Sequence, residues 1–269
     1  MDGIDIDWEY PGLRGSPKKD KFKLNRLCKE LRAAFKRESH RTHSEMLLLS
    51  LAIPASHYYL KPGFDLDRLQ LYVDWFNLMA YDLHGSWENK TAHNTAMVNP
   101  LMNVSYGVDY LLRDHHIPSK QIVLGLATYG RSFTTKNNRE HGVGVKTSGP
   151  GFAGRYTRQK GILAYFECCH LGHQVSHLDS DEKAPYCYLN DQWVGYDSPE
   201  SIGYKVLMEV IRKRLKGTMF WDISLDDVSG LFCGHGRHPL LRAAKRILDR
   251  DDVTAGGVYD MISVMVNPA

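Results

Sequence analysis

The sequence predicts an α/β fold, a parallel sheet built from βα units, on three observations. Segments of strand character alternate with segments of helical period over most of the chain. Residues 46–53 are apolar except for Ser50 and are closed by Pro54, as expected of a parallel strand covered on both faces. The opening segment, Met1-Asp2-Gly3-Ile4-Asp5-Ile6-Asp7-Trp8-Glu9, alternates acid and apolar residues with period 2, as a strand with two different faces does.

The elements follow in order. After the acidic strand, a polar loop over 13–20 carries Gly15 and Pro17 as breakers. Leu24, Leu27, Cys28, Leu31, Ala34 and Phe35 then recur at three- and four-residue spacing, an amphipathic helix. A second strand occupies 46–53, a short helix 66–72 and a third strand 75–81. A helix over 104–114 leads through Pro118 to a strand over 122–128. Between Arg131 and Tyr196 the alternation breaks into a stretch rich in Gly and Tyr. Beyond it come a helix over 198–216, a strand over 218–223 and a helix over 240–249. Five strands are expected, where a closed (β/α)8 barrel needs eight.

Composition narrows the functional classes. The 269 residues hold one large domain, or a barrel with an inserted module, at 43% hydrophobic and 24% charged. No apolar run approaches the ~20 residues of a membrane span. A net charge of +3 argues against a dedicated nucleic-acid surface and fits a neutral ligand. Fifteen Tyr and 5 Trp supply flat rings suited to stacking on sugars, although aromatic residues are usually core. Five Cys leave at least one thiol unpaired unless its partner lies outside the chain. Asn89-Lys-Thr91 and Asn103-Val-Ser105 are glycosylation sequons, which have meaning only in a secreted protein. With the abrupt start, they suggest that an N-terminal part is missing and that Met1 is an internal methionine or a misplaced start.

Asp5, Asp7 and Glu9 share one face of the first strand, stepping by about 6.6 Å per pair. Such crowding raises one carboxyl pKa and lowers another, which yields a protonated acid beside an ionised carboxylate at one pH. A solvated edge strand would not flank its acids with Ile4, Ile6 and Trp8, which are expected to face an apolar layer. A calcium loop needs a glycine where Trp8 stands. In parallel β/α folds the strand C-termini carry the chemistry, and here they bring together Glu9, Tyr81, Asp82, Tyr129, Arg131, Trp221 and Asp222. Asp222, Asp226 and Asp227 are expected to be loop acids. Cys168-Cys169-His170-x-x-His173-x-x-x-His177 could approach a common helix face, yet the spacing fits no strong zinc motif.

Asp2-Gly-x-Asp5-x-Asp7-Trp-Glu9, continued by Tyr10-Pro11-Gly12, resembles the signature of glycoside hydrolase family 18, the animal-type chitinases. Met79-Ala-Tyr81-Asp82 resembles a second motif of that family. Thr147-Ser-Gly-Pro-Gly151, Ala184-Pro-Tyr-x-Tyr188 and Asn190-x-Gln-Trp193 resemble its small insertion domain. The resemblance implies a TIM (β/α)8 barrel of which strands four to eight are present. A small α+β insertion domain would lie between the seventh strand and its helix. The barrel would comprise 1–132 and 196–249, the insertion domain 133–195, and a disordered tail 250–269.

The resemblance also implies chitin hydrolysis with retention, in which the substrate's own acetamido oxygen attacks and forms an oxazolinium. Glu9 would be the acid and then the base, Asp7 would hold the acetamido N–H, and Asp5 would share a proton behind it. Tyr81 would align the acetamido carbonyl. Trp221 would be the floor under the central sugar, with Met79, Asp82 and Tyr129 lining the site and Arg131, Trp87 and Glu167 on neighbouring sugars. It pairs Cys169 with Cys233. Cys168 with Cys187 is a second pair, which leaves Cys28 free. Partners are chitin or chitooligosaccharides, with no nucleic acid, membrane, metal or cofactor, for an extracellular protein that is monomeric at full length. A chitinase-like lectin and an inactive fragment are the alternatives. The absent first three strands put activity in doubt, and Asp222 and Ser224 depart from the family pattern after Trp221.

Overall fold

The computed structural model describes residues 1–98, 102–172, 176–179 and 181–249. The expected tail 250–269 and His173 lie outside the described residues.

A five-stranded parallel sheet carries the first half of the fold, in the order β1 (Gly3–Ile6), β2 (Leu48–Pro54), β3 (Trp75–Met79), β4 (Ile122–Ala127) and β11 (Gly217–Trp221). This curved sheet is part of a (β/α)8 barrel. Its neighbours are consecutive βα units: helix α1 (Asp20–Thr42) joins β1 to β2. Helices α2 (His57–Gly63) and α3 (Leu66–Leu69) join β2 to β3, and α4 (Val104–Asp109) joins β3 to β4. Leu24, Cys28 and Phe35 form the buried line of α1, and His43 in the left-handed region ends it. Arg32 on α1 donates to Tyr72 O at 2.7 Å and to Asp74 Oδ2 at 2.5 Å. That oxygen also accepts from Leu49 N at 2.7 Å, so one carboxylate ties helix, β2 and the approach to β3.

The expected break is a second sheet, antiparallel, inserted between β4 and helix α6 (Pro199–Lys205). Its path is β6 (Thr147–Pro150), β5 (Tyr129–Thr135), β10 (Gln192–Gly195), β9 (Ala184–Leu189) and β8 (Ser176–Asp179), with β7 (Ile162–Ala164) paired to β5. Helix α5 (Tyr165–Gly172) carries Cys169, which is bonded to Cys233 in the loop after β11 across a Cα–Cα distance of 5.3 Å. The last helix, α7 (Pro239–Leu248), packs against α6. Among the described residues no helix is long and apolar enough to cross a membrane.

Several expectations are corrected. The acidic strand ends at Ile6 rather than running to Glu9, and it is an edge strand, with Ile4 40% exposed. β1 has no paired strand on its outer side in the described sheet, and Ile4 is left exposed, whereas Ile6 and Trp8 pack against the core. Cys168 and Cys187 are free buried thiols, as is Cys28. The Cys168 Sγ faces Leu163 O at 3.8 Å and the Cys187 Sγ faces Cys168 O at 3.9 Å. Helix α2 escaped the sequence pattern because Pro62 stands inside it. The Cys168–His177 cluster does not lie on one helix: Cys169 is in the disulfide, and His177 belongs to β8 rather than to the helix of His170.

Asp197 joins the two sheets' surroundings. It is buried and accepts from Thr95 Oγ1 at 2.7 Å, from Ser201 Oγ at 2.6 Å and from Lys205 Nζ at 2.6 and 2.8 Å. Removing one partner of a buried pair leaves an uncompensated charge. Asp197→Ala should therefore lower unfolding stability by about 3–5 kcal/mol in urea titrations, whereas Asp114→Ala, on the barrel surface, should fall within about 0.5 kcal/mol of the parent.

Candidate active site

The register of the parallel sheet decides what meets at its C-terminal edge. Asp5 lies opposite Ser50, and Ala52 lies opposite Asn77. One oxygen of Asp5, Oδ1, accepts from Ser50 Oγ at 2.6 Å and from Asn77 Nδ2 at 2.9 Å. Asn77 is itself oriented by Trp75 Nε1, which donates to its Oδ1 at 3.0 Å. Asp5 is thus anchored by the two following strands, one level below the mouth.

Asp7 and Glu9 continue the same face upward and line a cavity of about 600 Å³. Its walls include Tyr10, Tyr59, Met79, Tyr81, Asp82, Trp87, Tyr129, Arg131 and Trp221. The Glu9–Tyr10 and Trp221–Asp222 peptides are cis. Burial, then the charges of Glu9 and Asp5, raise the Asp7 pKa above the ordinary carboxylate value. Arg14 lies 3.6 Å from Glu9 Oε2 and 4.8 Å over the Tyr10 ring, and Tyr10 stacks on Tyr59 at 4.7 Å.

On the other side, β3 delivers Met79, Tyr81 and Asp82. Tyr81 is buried, and burial together with the charge of Asp7 pushes its phenol up, so it stays a proton donor at any ordinary pH. Gly125 on β4 makes room for this ring: a Cβ there would lie 2.9 Å from Tyr81 Cε1 and 2.4 Å from Leu78 O. Asp82 has φ of 55° and donates its N–H to Asn94 Oδ1 at 2.7 Å. A non-glycine residue held in the left-handed region is a mark of a constrained site. Its carboxylate accepts from Tyr129 OH at 2.7 Å and from Arg131 Nε and Nη2 at 2.8 and 2.5 Å, a bidentate pair. Arg131 also lies 5.2 Å over the Trp87 ring. Trp221 ends β11, is 51% exposed and lines the cavity.

Glu167 is not brought to this cleft. Its carboxylate accepts from Tyr156 N at 2.7 Å, Thr157 Oγ1 at 2.9 Å and Ala164 N at 3.0 Å, which organises the loop before β7. It borders a separate, mostly apolar cavity on the insertion sheet. Asp222, Asp226 and Asp227 are loop acids, as expected. Asp227 accepts from the N–H groups of Gly230, Phe232 and Cys233, and Asp226 from those of Leu240 and Leu241 at the start of α7. Asn89 is exposed, while Asn103 caps α4 by accepting from Tyr106 N at 2.6 Å. Sequence reasoning passed over Ser50, Asn77 and Asn94 as site residues. The signal was present for Ser50 and Asn77, each a single polar residue in an apolar run, whereas Asn94 stands among Thr91, His93 and Thr95 and offers no such contrast.

Comparison with known proteins places this arrangement. The family model described as glycosyl hydrolases family 18 matches residues 1–226. The chain belongs to glycosyl hydrolase family 18. It is 38% identical to mouse (Mus musculus) chitotriosidase-1 over 257 residues, 93% of this chain and 54% of that protein. It is 36% identical to the pig (Sus scrofa) oviduct-specific glycoprotein over 263 residues, 95% of this chain and 49% of that protein. The chain thus spans about half the length of these relatives. Among solved structures it is similar to human YKL-39, described as a pseudo-chitinase with retained chitooligosaccharide binding, at TM-score 0.87 and 34% identity. That match covers 93% of this chain and 70% of the other. It is similar as well to the Ostrinia furnacalis group IV chitinase solved with allosamidin, at TM-score 0.86 and 32% identity, over 92% of this chain and 68% of that one.

The raised Asp7 pKa gives a stability prediction with a definite sign. A carboxyl whose folded pKa exceeds its unfolded value opposes folding when ionised, and the opposition disappears as pH falls through the folded pKa. Asp7→Asn should therefore melt at a higher temperature than the parent near neutral pH. The difference should shrink in thermal scans taken at successively lower pH through the carboxylate range.

Proposed function

We propose that this chain carries the catalytic half-site of a secreted chitinase, which cleaves β-1,4 linkages between N-acetylglucosamine units with retention and substrate assistance. The observation that supports it is the intact series Asp5, Asp7, Glu9 and Tyr81, with the last three lining one cavity beside Trp221. In this reading the acetamido sugar stacks on Trp221. Glu9 donates its proton to the glycosidic oxygen as the C1–O bond breaks, and the leaving sugar departs as an alcohol. The acetamido carbonyl oxygen attacks C1 from the opposite face and closes an oxazolinium ring, so no protein nucleophile is needed.

Each neighbour acts on one stage. Tyr81 donates to the acetamido oxygen and turns it toward C1. Asp7 accepts from the acetamido N–H, and its negative charge stabilises the cation as it forms. Burial and the charges of Glu9 and Asp5 raise the affinity of Asp7 for a proton, with Asp5 held behind it by Ser50 and Asn77. Glu9, now ionised, takes a proton from water as that water opens the oxazolinium at C1. The configuration inverts twice, and the product keeps the β configuration. Asp82 lines the site, and Arg131 and Trp87 bind neighbouring sugars.

A second reading is supported by the relatives themselves, one of which is described as a pseudo-chitinase that retains chitooligosaccharide binding. The cavity would then hold the sugar without cleaving it. Hydrolysis of a chromogenic chitooligosaccharide separates the two. The enzyme reading expects turnover that falls by about 10²–10⁴-fold in Glu9→Gln, the usual contribution of a general acid. Trp221→Ala should chiefly raise KM, because it removes stacking shared by ground and transition states. Sugar binding by calorimetry without turnover in the parent chain would overturn the enzyme reading for this chain and leave a lectin or an inactive fragment.

A further inference from the structure

The modest net charge of the chain conceals a strong segregation. Residues 18–42 hold ten of the 34 Lys and Arg but only three of the 31 Asp and Glu, so this segment carries +7 and the remainder −4. The structure folds nearly all of it into α1, and the helical repeat sorts it by face. On a wheel of 3.6 residues per turn, Lys19, Lys23, Arg26, Lys29, Lys36, Arg37 and Arg41 fall within an arc of about 140°. All seven are exposed, and Glu30 is the carboxylate inside that arc. Lys23 is paired with Asp20 at 2.7 Å and Arg26 with Glu30 at 2.7 Å. Lys19, Lys29, Lys36, Arg37 and Arg41 make no ion pair among the described residues. From Lys19 to Arg41 the stripe runs about 33 Å at 1.5 Å per residue.

We propose that the outward face of α1 is a docking surface for a linear sulfated polysaccharide, separate from the cavity at the sheet's C-terminal edge. Five unpaired cations, with Lys23 and Arg26 among them, spaced along one helix match a chain whose anionic groups recur along its length. Like charges crowded on an exposed arc repel one another, and a polyanion relieves that repulsion while releasing its own counterions. The alternatives fit less well. A membrane-surface helix needs an apolar face to insert, and the apolar line of α1, Leu24, Cys28 and Phe35, is spent on the core. Phe22, 62% exposed, is the one large apolar side chain within the arc. Single-stranded nucleic acid calls for a groove with aromatic platforms, which this convex stripe lacks. A duplex reader enters the major groove with a projecting helix, whereas α1 lies against β2.

The test is binding of the whole chain to heparin at physiological salt. The parent should bind, with affinity falling steeply as salt rises, and should not bind fully desulfated heparin. Lys29→Glu/Lys36→Glu/Arg37→Glu should weaken heparin binding at least tenfold. The control Lys136→Glu/Arg139→Glu/Lys160→Glu, which reverses the same charge on the insertion domain, should change it less than twofold. Acetylation footprinting of the parent gives a readout that does not depend on the variants folding: heparin should shield Lys29 and Lys36 and leave Lys136 and Lys160 reactive. Equal loss in the two variants, or equal shielding of all four lysines, would overturn the proposal. So would tighter binding to phosphatidylserine vesicles or to duplex DNA than to heparin.

Discussion

One carboxylate oxygen holds the first three strands of the sheet in the register on which the site depends. Asp5 Oδ1 receives Ser50 from β2 and Asn77 from β3, and Asn77 is fixed in turn by the Trp75 indole. Because side chains alternate along a strand, a slip of one residue would send Asp5 to the opposite face and displace Asp7 and Glu9, which follow the strand. The two cross-strand hydrogen bonds make that slip expensive, since each would leave a polar group without its partner. The mouth is therefore organised from below. Asp5 sets the level at which Asp7 and Glu9 emerge, and the adjoining strands set Tyr81 and Trp221 against them.

The same geometry accounts for the electrostatics. Asp7 stands between a carboxylate fixed beneath it and another beyond it, in a partly buried position, and its pKa rises. Asp82 is the contrasting case. It is spoken for by Tyr129 and by both arms of Arg131, which leaves it a structural anchor for the aromatic side of the cleft rather than a competing base. The insertion sheet contributes by continuity: β5 follows β4 after a single residue, so Tyr129 and Arg131 reach the mouth at the point where the chain leaves the barrel. The Cys169–Cys233 disulfide then ties that sheet to the loop following Trp221.

Much of this was legible in the sequence, for physical reasons that differ by element. The parallel strands at 46–53 and 122–128 announced themselves as apolar runs because both of their faces are covered. The carboxylates could be placed on one face because period 2 admits no other arrangement. What failed was whatever depended on neighbours the sequence does not name. Ile4 was expected in an apolar layer, yet β1 is the edge of its sheet and the residue is exposed. Glu167 carries a charge in a plausible place, but backbone N–H groups of its own loop claim it. The pairing of Cys168 with Cys187 required a geometry that spacing cannot supply. Helix α1 was recognised from its buried line, while the charge on its other face was averaged away in the net value for the chain.

The central claim is that Asp7, Tyr81 and Glu9 act together on an acetamido group that is becoming an oxazolinium. The most direct measurement is calorimetric affinity for a thiazoline analogue of that intermediate, compared with N-acetylglucosamine itself, in the parent and in Asp7→Asn. Sites built for a reacting state bind its mimics at least about 10²-fold more tightly than the substrate. The account predicts such a preference in the parent and its collapse in Asp7→Asn, with sugar affinity little changed. Equal affinity for the two ligands in the parent would contradict it and leave a pocket that recognises the sugar alone.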